Sequence, residues 1–198
     1  MTYFDDLPKK FNEVTIYDYE EIDTSEFLAA AEGVKDLFNL FGSSAFIPVQ
    51  NDMAGNIKKI RAAQEKLGPD HGKSLQKIVL SEVKENKKDA TQGLLWLTRG
   101  LRFTLEGMKR NITHKDEEVN KSFTKAYTET LAKYHNMFVR PVFKLAMAAC
   151  PYRKDLYAKL GSPLELVEEQ LADWLEGLEK CVVIIEKFLD SGNYAKGL

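Results

Sequence analysis

The fold is decided by residues 94–105, which read LLWLTRGLRFTL. On a helix of about 3.6 residues per turn, four leucines of this stretch fall on one face. They are Leu94, Leu97, Leu101 and Leu105. Trp96 and Phe103 lie on a second apolar face, nearly opposite the first. A helix that is apolar on two faces is buried between layers, so this stretch predicts the central helix of a layered, all-α protein.

Upstream of this stretch, apolar residues recur at helical spacing in two long segments. Asp23 is expected to cap the first helix, with the Glu26 side chain reaching back toward it, and Gly42 is expected to end that helix. Pro48 suits the first residue of a second helix, which runs to about Leu67. The sequence therefore predicts two long helices in the first third of the chain.

Helical spacing also continues through the rest of the chain. A third, shorter helix is predicted around residues 75–83, and Asp89 is expected to cap the central helix. Residues 123–149 predict one long helix, kinked at Pro141 because proline removes a backbone hydrogen bond. Residues 162–165, Ser-Pro-Leu-Glu, combine a capping serine with a first-turn proline, and they predict the start of the final helix.

Chain length bounds the domain organisation. A chain of 198 residues is long enough for one domain with a sizeable core. We predict a single domain of roughly seven or eight helices over residues 1–198, in which residues 1–22 form an extended N-terminal arm. No segment shows the alternation of apolar and polar residues that is typical of β-strands.

Composition and charge narrow the possible functions. The net charge of −2 disfavours a nucleic-acid-binding protein. The chain has neither a signal-like N-terminus nor the apolar run of about 18 residues that a membrane helix needs, so we expect a cytoplasmic protein that contacts membranes only peripherally. The three histidines and two cysteines lack metal-ligand spacing, and no GxSxG motif is present. No metal, cofactor or catalytic residue is predicted.

A polar line on the second predicted helix is the first candidate for a binding site. Asp52, Asn56 and Lys59 fall at positions i, i+4 and i+7, which places an acceptor, an amide and a cation along one side of the helix. These groups suit sugar hydroxyls, although a polar line on a helix is more often a solvated face. By periodicity, Trp96 and His135 are more often core residues than ligands. The residues alone leave both interpretations open.

Four stretches of the chain share their order and spacing with a known family. They are Phe46-x-Pro48 leading into Asp52-x-x-Gly55-Asn56-x-x-Lys59, residues 94–103, Tyr134-His135, and Ala148-x-x-Pro151-Tyr152. Together they resemble the glycolipid transfer protein family, and the match covers most of the chain. Residues 24–28 and 150–155 resemble in particular a fungal branch connected with heterokaryon incompatibility. The resemblance implies an all-α, two-layer helical sandwich of about eight helices.

The resemblance also implies a surface site for the sugar of a sphingolipid and an apolar tunnel for its hydrocarbon chains. The implied headgroup residues are Asp52, Asn56, Lys59, Trp96, His135 and Tyr194. The first three would hydrogen-bond to sugar hydroxyls, and Trp96 would lie flat against the sugar ring. Asp52 would also accept from the ceramide amide, His135 would donate to its carbonyl, and Tyr194 would help to close the site. The implied tunnel residues are Phe38, Phe46, Val49, Phe103, Val142 and Phe143.

Two positions depart from the family pattern. Met137, next to Phe138, stands where better-known animal members have a tryptophan that helps them dock on membranes. We therefore expect transient membrane contact through Met137 and Phe138, with docking that is weaker or shifted relative to those animal members. Gln92 stands where an apolar residue is common, which changes the rim of the expected site.

The predicted function is non-enzymatic transport of a monohexosylceramide or lactosylceramide between membranes. A glycolipid sensor that acts through a protein partner needs the same pocket and is the alternative. A hydrolase that uses Asp52 is disfavoured because no motif places a second carboxylate opposite it. A sugar is favoured over a phosphate because phosphate-binding members of the family carry basic residues where this chain has Asn56 and Trp96.

Overall fold

The computed structural model describes residues 1–198 and contains eight α-helices that pack in two layers. The helices are α1 (Thr24–Leu40), α2 (Ile47–His71), α3 (Leu75–Glu85), α4 (Asp89–Thr113), α5 (Val119–Thr130), α6 (Val139–Ala148), α7 (Arg153–Leu160) and α8 (Leu164–Ser191). A short antiparallel hairpin of β1 (Ile16–Tyr17) and β2 (Glu21–Ile22) precedes them. The predicted all-α fold class is confirmed. None of the helices is both long and apolar enough to cross a membrane.

Helix α4 lies at the centre of the molecule. It packs against α2 and α3 and also against α5 and α8, so its neighbours surround it. Leu97, Leu101 and Phe103 are completely buried. Both apolar faces of residues 94–105 thus contain buried residues, although Trp96 is only half-buried, and this stretch is the central helix as predicted.

Two glycines on α4 allow α2 to approach closely. A Cβ atom built on Gly93 would lie 3.1 Å from the backbone oxygen of Asn56 and 3.1 Å from Cβ of Lys59. A Cβ atom built on Gly100 would lie 3.2 Å from Cε of Met53. The missing side chain at Gly93 thus sets how near the polar side of α2 comes to α4. The flexible Met53 side chain fills the space over Gly100.

Most predicted boundaries of the first two helices are confirmed. Asp23 caps α1, because its Oδ1 accepts the backbone N–H of Glu26 at 2.9 Å. Glu26 does not reach back to Asp23; its carboxylate accepts the backbone N–H of Thr15 at 2.6 Å and so ties the hairpin segment to α1. Helix α2 begins one residue before Pro48, and its backbone leaves helical geometry at Gly68, where φ is 72°.

The starts of α4 and α8 differ from the sequence prediction. Asp89 is the first residue of α4 rather than its cap. The buried Glu82 of α3 takes this role by accepting from two backbone N–H groups at the start of α4, at 2.8 and 2.7 Å, and from the Thr91 hydroxyl at 2.7 Å. A carboxylate is favourable there because the first N–H groups of a helix lack partners within the helix. At α8, the extended Pro163 occupies the cap position, so Ser162 lies one residue too early to cap.

The single long helix predicted over residues 123–149 is wrong. Helices α5 and α6 are separated by a turn of residues 131–138. Asn136 fixes the start of the second helix, because its Oδ1 accepts from two backbone N–H groups at the start of α6, at 2.9 and 3.1 Å. Pro141 lies in the first turn of α6, where a backbone N–H would have no helical partner, so it produces no kink.

Residues 1–22 fold against the helices, the first part on α8 and the hairpin on α3, instead of forming an extended arm. They make two short 3-10 turns before the hairpin. Phe4 and Phe11 are buried, and their ring centroids lie 6.0 and 5.5 Å from that of Trp174 on α8. Burial of these aromatic rings provides the apolar contact that holds the segment in place.

Candidate functional site

A cavity of about 620 Å³ opens between α2, α4, the α5–α6 turn and α6. The lining side chains are Pro48, Val49, Asp52, Met53, Asn56 and Lys59 from α2, Gln92, Trp96, Gly100 and Phe103 from α4, and Leu131, Tyr134, His135, Asn136, Phe138, Val139, Val142 and Phe143 from the last two elements. Along α2 the lining changes from apolar at its start to polar at Lys59. The cavity therefore has an apolar end and a polar end.

The polar end is built from the predicted line of α2. Asp52, Asn56 and Lys59 all line the cavity, as their helical spacing predicts. Asn56 Nδ2 donates to Asp52 Oδ2 at 3.2 Å, and Lys59 Nζ donates across to Gln92 Oε1 of α4 at 3.5 Å. Asn56 is buried, whereas Asp52 and Lys59 are exposed at the mouth. The second carboxylate oxygen of Asp52 accepts no hydrogen bond from the protein, so it is available to a ligand.

The carboxylate of Asp52 is partly desolvated, although the residue as a whole is exposed. Burial raises the pKa of this carboxyl above its ordinary value, and the Lys59 ammonium opposes the rise. Asp52 is the only acidic residue that lines the cavity. No three His, Cys, Asp or Glu side chains gather in a group that could hold a metal ion. A desolvated carboxylate is stabilised by N–H and O–H donors, which a polar ligand would supply.

Trp96 and His135 form an aromatic wall. Their rings are parallel within 10°, and the centroids lie 6.1 Å apart. The ring centroid of Phe143 lies 4.5 Å from that of His135. Tyr134 packs against Trp96 edge to face, with centroids 6.3 Å apart. Trp96 is only half-buried, so part of its indole remains accessible from the cavity. A flat apolar ring surface of this kind can stack on a sugar ring.

Tyr127, which the sequence did not single out, orients His135. The Tyr127 hydroxyl oxygen lies 3.2 Å from Nδ1 of His135. When this hydroxyl donates to Nδ1, the imidazole carries its proton on Nε2 and can donate it to a ligand. Burial, together with the nearby charges of Arg140 and Arg99, lowers the pKa of His135. The lowered pKa favours the neutral imidazole at pH 7.

The six predicted tunnel residues fall into two groups. The cavity-lining group is Val49, Phe103, Val142 and Phe143. Phe38 and Phe46 do not reach the cavity; both are buried and stack on each other with centroids 5.4 Å apart. They belong to an aromatic cluster of Phe38, Phe41, Phe46, Phe103 and Phe123, in which Phe103 alone lines the cavity. Phe38 and Phe46 thus lie behind the cavity wall.

Tyr194 is not brought to the cavity. The chain reverses after α8 through Asn193, whose φ of 52° is left-handed. The Tyr194 ring consequently packs back on Phe188, with centroids 4.9 Å apart. Lys88 Nζ donates to the backbone oxygen of Lys196 at 2.9 Å and holds this C-terminal segment near the start of α4. The fold thus assembles the other five headgroup candidates and leaves Tyr194 outside.

Large apolar side chains are exposed on the elements that form the cavity. Met137 and Phe138 of the α5–α6 turn are 75% and 78% exposed, and Phe138 also lines the cavity. Leu145 of α6 and Ile47, at the start of α2, are exposed as well. We call Ile47, Met137, Phe138 and Leu145 the apolar rim. Such a group of exposed apolar side chains is typical of a contact surface.

Several lining residues were not identified as site residues from the sequence. Gly100 could have been found, because it follows Trp96 by one helical turn and so shares its face. Met53 had no such signal, since it reads as an ordinary core residue of α2. Leu131 and Asn136 were missed because apolar periodicity continues through the turn that brings them to the cavity.

Comparisons with known proteins agree with one another. Residues 22–162 match the family model described as Glycolipid transfer protein (GLTP). The chain is 45% identical over 190 residues to a glycolipid transfer protein of Aureobasidium melanogenum, covering 96% of this chain and 94% of that protein. The solved structure of HET-C2, a fungal glycolipid transfer protein, has a TM-score of 0.93 and 43% identity, and the match covers 98% of this chain and 100% of that one.

Two further solved structures extend the comparison. A structure that concerns how FAPP2 selects simple glycosphingolipids with the GLTP-fold has a TM-score of 0.89 at 28% identity, over 98% of this chain and 97% of that one. Mouse ceramide-1-phosphate transfer protein has a TM-score of 0.85 at 20% identity, with 98% of each chain covered. The latter likeness concerns the fold alone.

Proposed function

Because this chain belongs to the glycolipid transfer protein family, we propose that it carries glycosphingolipids between membranes and leaves them chemically unchanged. The supporting observation is one cavity that combines a polar line, a flat aromatic wall and an apolar end. A glycosphingolipid presents the same order of parts, namely a sugar, an amide and hydrocarbon chains. The fungal relatives at 45% and 43% identity agree with the fungal branch indicated by the sequence.

In this proposal each polar group of the cavity has a counterpart in the headgroup. Asp52, Asn56 and Lys59 hydrogen-bond to sugar hydroxyls, and Trp96 stacks on the sugar ring. The free oxygen of Asp52 also accepts from the ceramide N–H, while Nε2–H of His135 donates to the amide carbonyl. These two bonds place the amide at the boundary between the polar and apolar ends. Tyr194 has no role in this arrangement.

The hydrocarbon chains occupy the apolar end. Each methylene that leaves a bilayer costs about 0.8 kcal/mol if it is exposed to water, so only apolar walls can offset extraction. Val49, Phe103 and Phe143 line the cavity and would form such walls. Phe38 and Phe46 would contact a chain only after Phe103 moves aside, because the aromatic cluster lies behind that ring.

Asp52 is the only acidic lining residue, which supports a non-enzymatic carrier. Hydrolysis of a glycosidic bond uses two carboxylates that flank it. Mass spectrometry of the lipid after long incubation would reveal any chemical change. The sensor alternative predicts tight retention of glycolipid and a ligand-dependent protein partner, whereas a carrier moves lipid rapidly between vesicles at low protein concentration.

We expect the site to select a sugar over a phosphate headgroup. Phosphate binding requires clustered cations, but Lys59 is the only cation that lines the cavity and it shares the polar line with anionic Asp52. In transfer assays with a fluorescent monohexosylceramide, unlabelled glucosylceramide should therefore compete roughly tenfold better than ceramide phosphate of the same acyl chain. Ceramide without a headgroup serves as the control for the contribution of the chains. Equal competition by the two headgroup lipids would contradict the sugar-selective proposal.

We also propose that the apolar rim docks on membranes. Met137→Glu should slow lipid pick-up from vesicles by about tenfold, because an exposed apolar side chain that enters the lipid surface is replaced by a charge. Affinity for a soluble short-chain glycolipid should not change, since Met137 does not line the cavity. Val83→Glu is the matched control, because Val83 is also exposed but lies on α3. If Met137→Glu transfers at the rate of the control, docking lies elsewhere.

A further inference from the structure

Arg99 of α4 has no acidic partner, although its neighbour on the same helix has two. Arg102 forms ion pairs with Glu106 at 3.3 Å and with Glu186 of α8 at 2.5 Å. Arg99 forms no ion pair with any carboxylate of the chain, and its Nε is buried without a hydrogen-bond partner. Something other than charge pairing therefore holds this guanidinium in place.

Two aromatic rings of the cavity wall surround Arg99. Its Cζ lies 3.6 Å from the ring centroid of Tyr134 and 4.7 Å from that of Trp96. Partial burial lowers the pKa of Arg99, yet arginine stays charged at neutral pH. Cation–π attraction is strongest when the cation is desolvated, so this arrangement favours a firm contact.

We propose that Arg99 is a positioning residue, which holds the Trp96 indole in the orientation that meets the sugar ring. This inference rests on the proposed function, because a fixed stacking plane is needed only if a sugar occupies the cavity. Arg99 does not itself line the cavity. It acts through Trp96, whose ring lies within 10° of parallel to that of His135. The stacking plane and the amide-binding imidazole are thereby kept in one fixed relation.

The partial exposure of Trp96 explains why the contact with Arg99 matters. The indole is half-buried and borders the cavity, so core packing restrains only part of it. A ring that has to be ordered upon binding lowers affinity, whereas a ring that is ordered beforehand does not. Loss of the Arg99 contact should therefore weaken the part of the affinity that comes from the sugar. The part that comes from the hydrocarbon chains should not change.

Two variants distinguish the effect of the charge of the Arg99 side chain from the effect of its planar shape. Arg99→Gln keeps a planar end group without charge, and Arg99→Lys keeps the charge without the planar group. Arg61→Gln is the control, because Arg61 is an exposed arginine of α2 that pairs with Glu32 at 2.9 Å, outside the cavity. Each protein is labelled with 5-fluorotryptophan, which gives one fluorine resonance for Trp96 and one for Trp174. The buried Trp174 serves as an internal reference.

In ligand-free Arg99→Gln, the Trp96 resonance should shift and broaden while the Trp174 resonance stays in place. The preference for glucosylceramide over ceramide of the same chain should fall roughly tenfold in this variant, less in Arg99→Lys, and not at all in the control. An unchanged Trp96 resonance with an unchanged preference would overturn the inference. A change in both tryptophan resonances with a lower melting temperature would overturn it too, since it would indicate a structural role.

The same experiment separates this inference from the proposed function. If Trp96 of the unmodified protein does not respond to glucosylceramide, the stacking role of Trp96 is wrong, whereas the ligand-free resonances still decide whether Arg99 orients the indole. If Arg99→Gln does not fold, the Trp96 resonance and the glucosylceramide preference of Arg99→Lys test the inference instead.

Discussion

Replacing Asp52 with valine is expected to abolish glycolipid transfer and to leave the fold intact. The variant would lack the carboxylate that we propose accepts from the sugar and from the ceramide amide, and each such hydrogen bond is worth about 1.5–3 kcal/mol because the acceptor is charged. The transfer rate should therefore fall by roughly a hundredfold or more. Stability should change little, because the only protein hydrogen bond to this carboxylate comes from Asn56 at 3.2 Å. Burial raises its pKa, so the ionised group does not stabilise the folded state.

Vesicle transfer assays and urea unfolding test this result together. Asp70→Val is the matched control, because Asp70 is an exposed carboxylate near the end of α2 and does not line the cavity. Asp52→Asn keeps one acceptor oxygen and should give an intermediate rate. Transfer by Asp52→Val at the rate of the Asp70 control would contradict the assigned role of Asp52.

Replacing Phe123 with alanine is expected to cause the largest loss of stability. Phe123 of α5 is completely buried, and its ring centroid lies 5.3 Å from that of Phe41 and 5.4 Å from that of Phe103. It also covers Gly107 of α4, where a Cβ atom would lie 2.8 Å from its ring. Removal of the ring leaves a cavity between α1, α4 and α5, so the free energy of unfolding should fall by about 3–5 kcal/mol.

Chemical denaturation measures this change. Phe138→Ala is the control for the loss of a phenylalanine ring, because Phe138 is 78% exposed and should alter the free energy of unfolding by less than about 0.5 kcal/mol. A loss below about 1 kcal/mol in Phe123→Ala would mean that the aromatic cluster collapses into the vacated space.

The architecture could be predicted because its signals are local. The two apolar faces of residues 94–105 indicate burial on both sides, and α4 is indeed surrounded. Asp23 caps α1 as its side chain predicts, so that boundary was predicted correctly. Helical geometry is interrupted at Gly68, next to the predicted end at Leu67, but α2 continues to His71. The spacing of Asp52, Asn56 and Lys59 places all three on one helix face, and that face borders the cavity.

The errors occur where a distant residue or a short side chain overrides the pattern. Apolar periodicity runs through residues 131–138, yet α5 ends before this stretch and Asn136 offers the backbone an acceptor at which a separate helix begins. Glu82 caps α4 from another helix, and the sequence around Asp89 does not predict such a contact. The depth of an aromatic residue is not encoded in its spacing either, so Phe38 could not be told apart from Phe103.

The close approach of α2 and α4 at Gly93 has a consequence for how this site could diversify. The headgroup candidates Asn56 and Lys59 lie on α2, whereas Trp96 lies on α4. A larger residue at position 93 would separate the two helices and widen the space between these groups, although it would replace none of them. In the proposed site, the spacing between these groups can therefore vary independently of their chemistry.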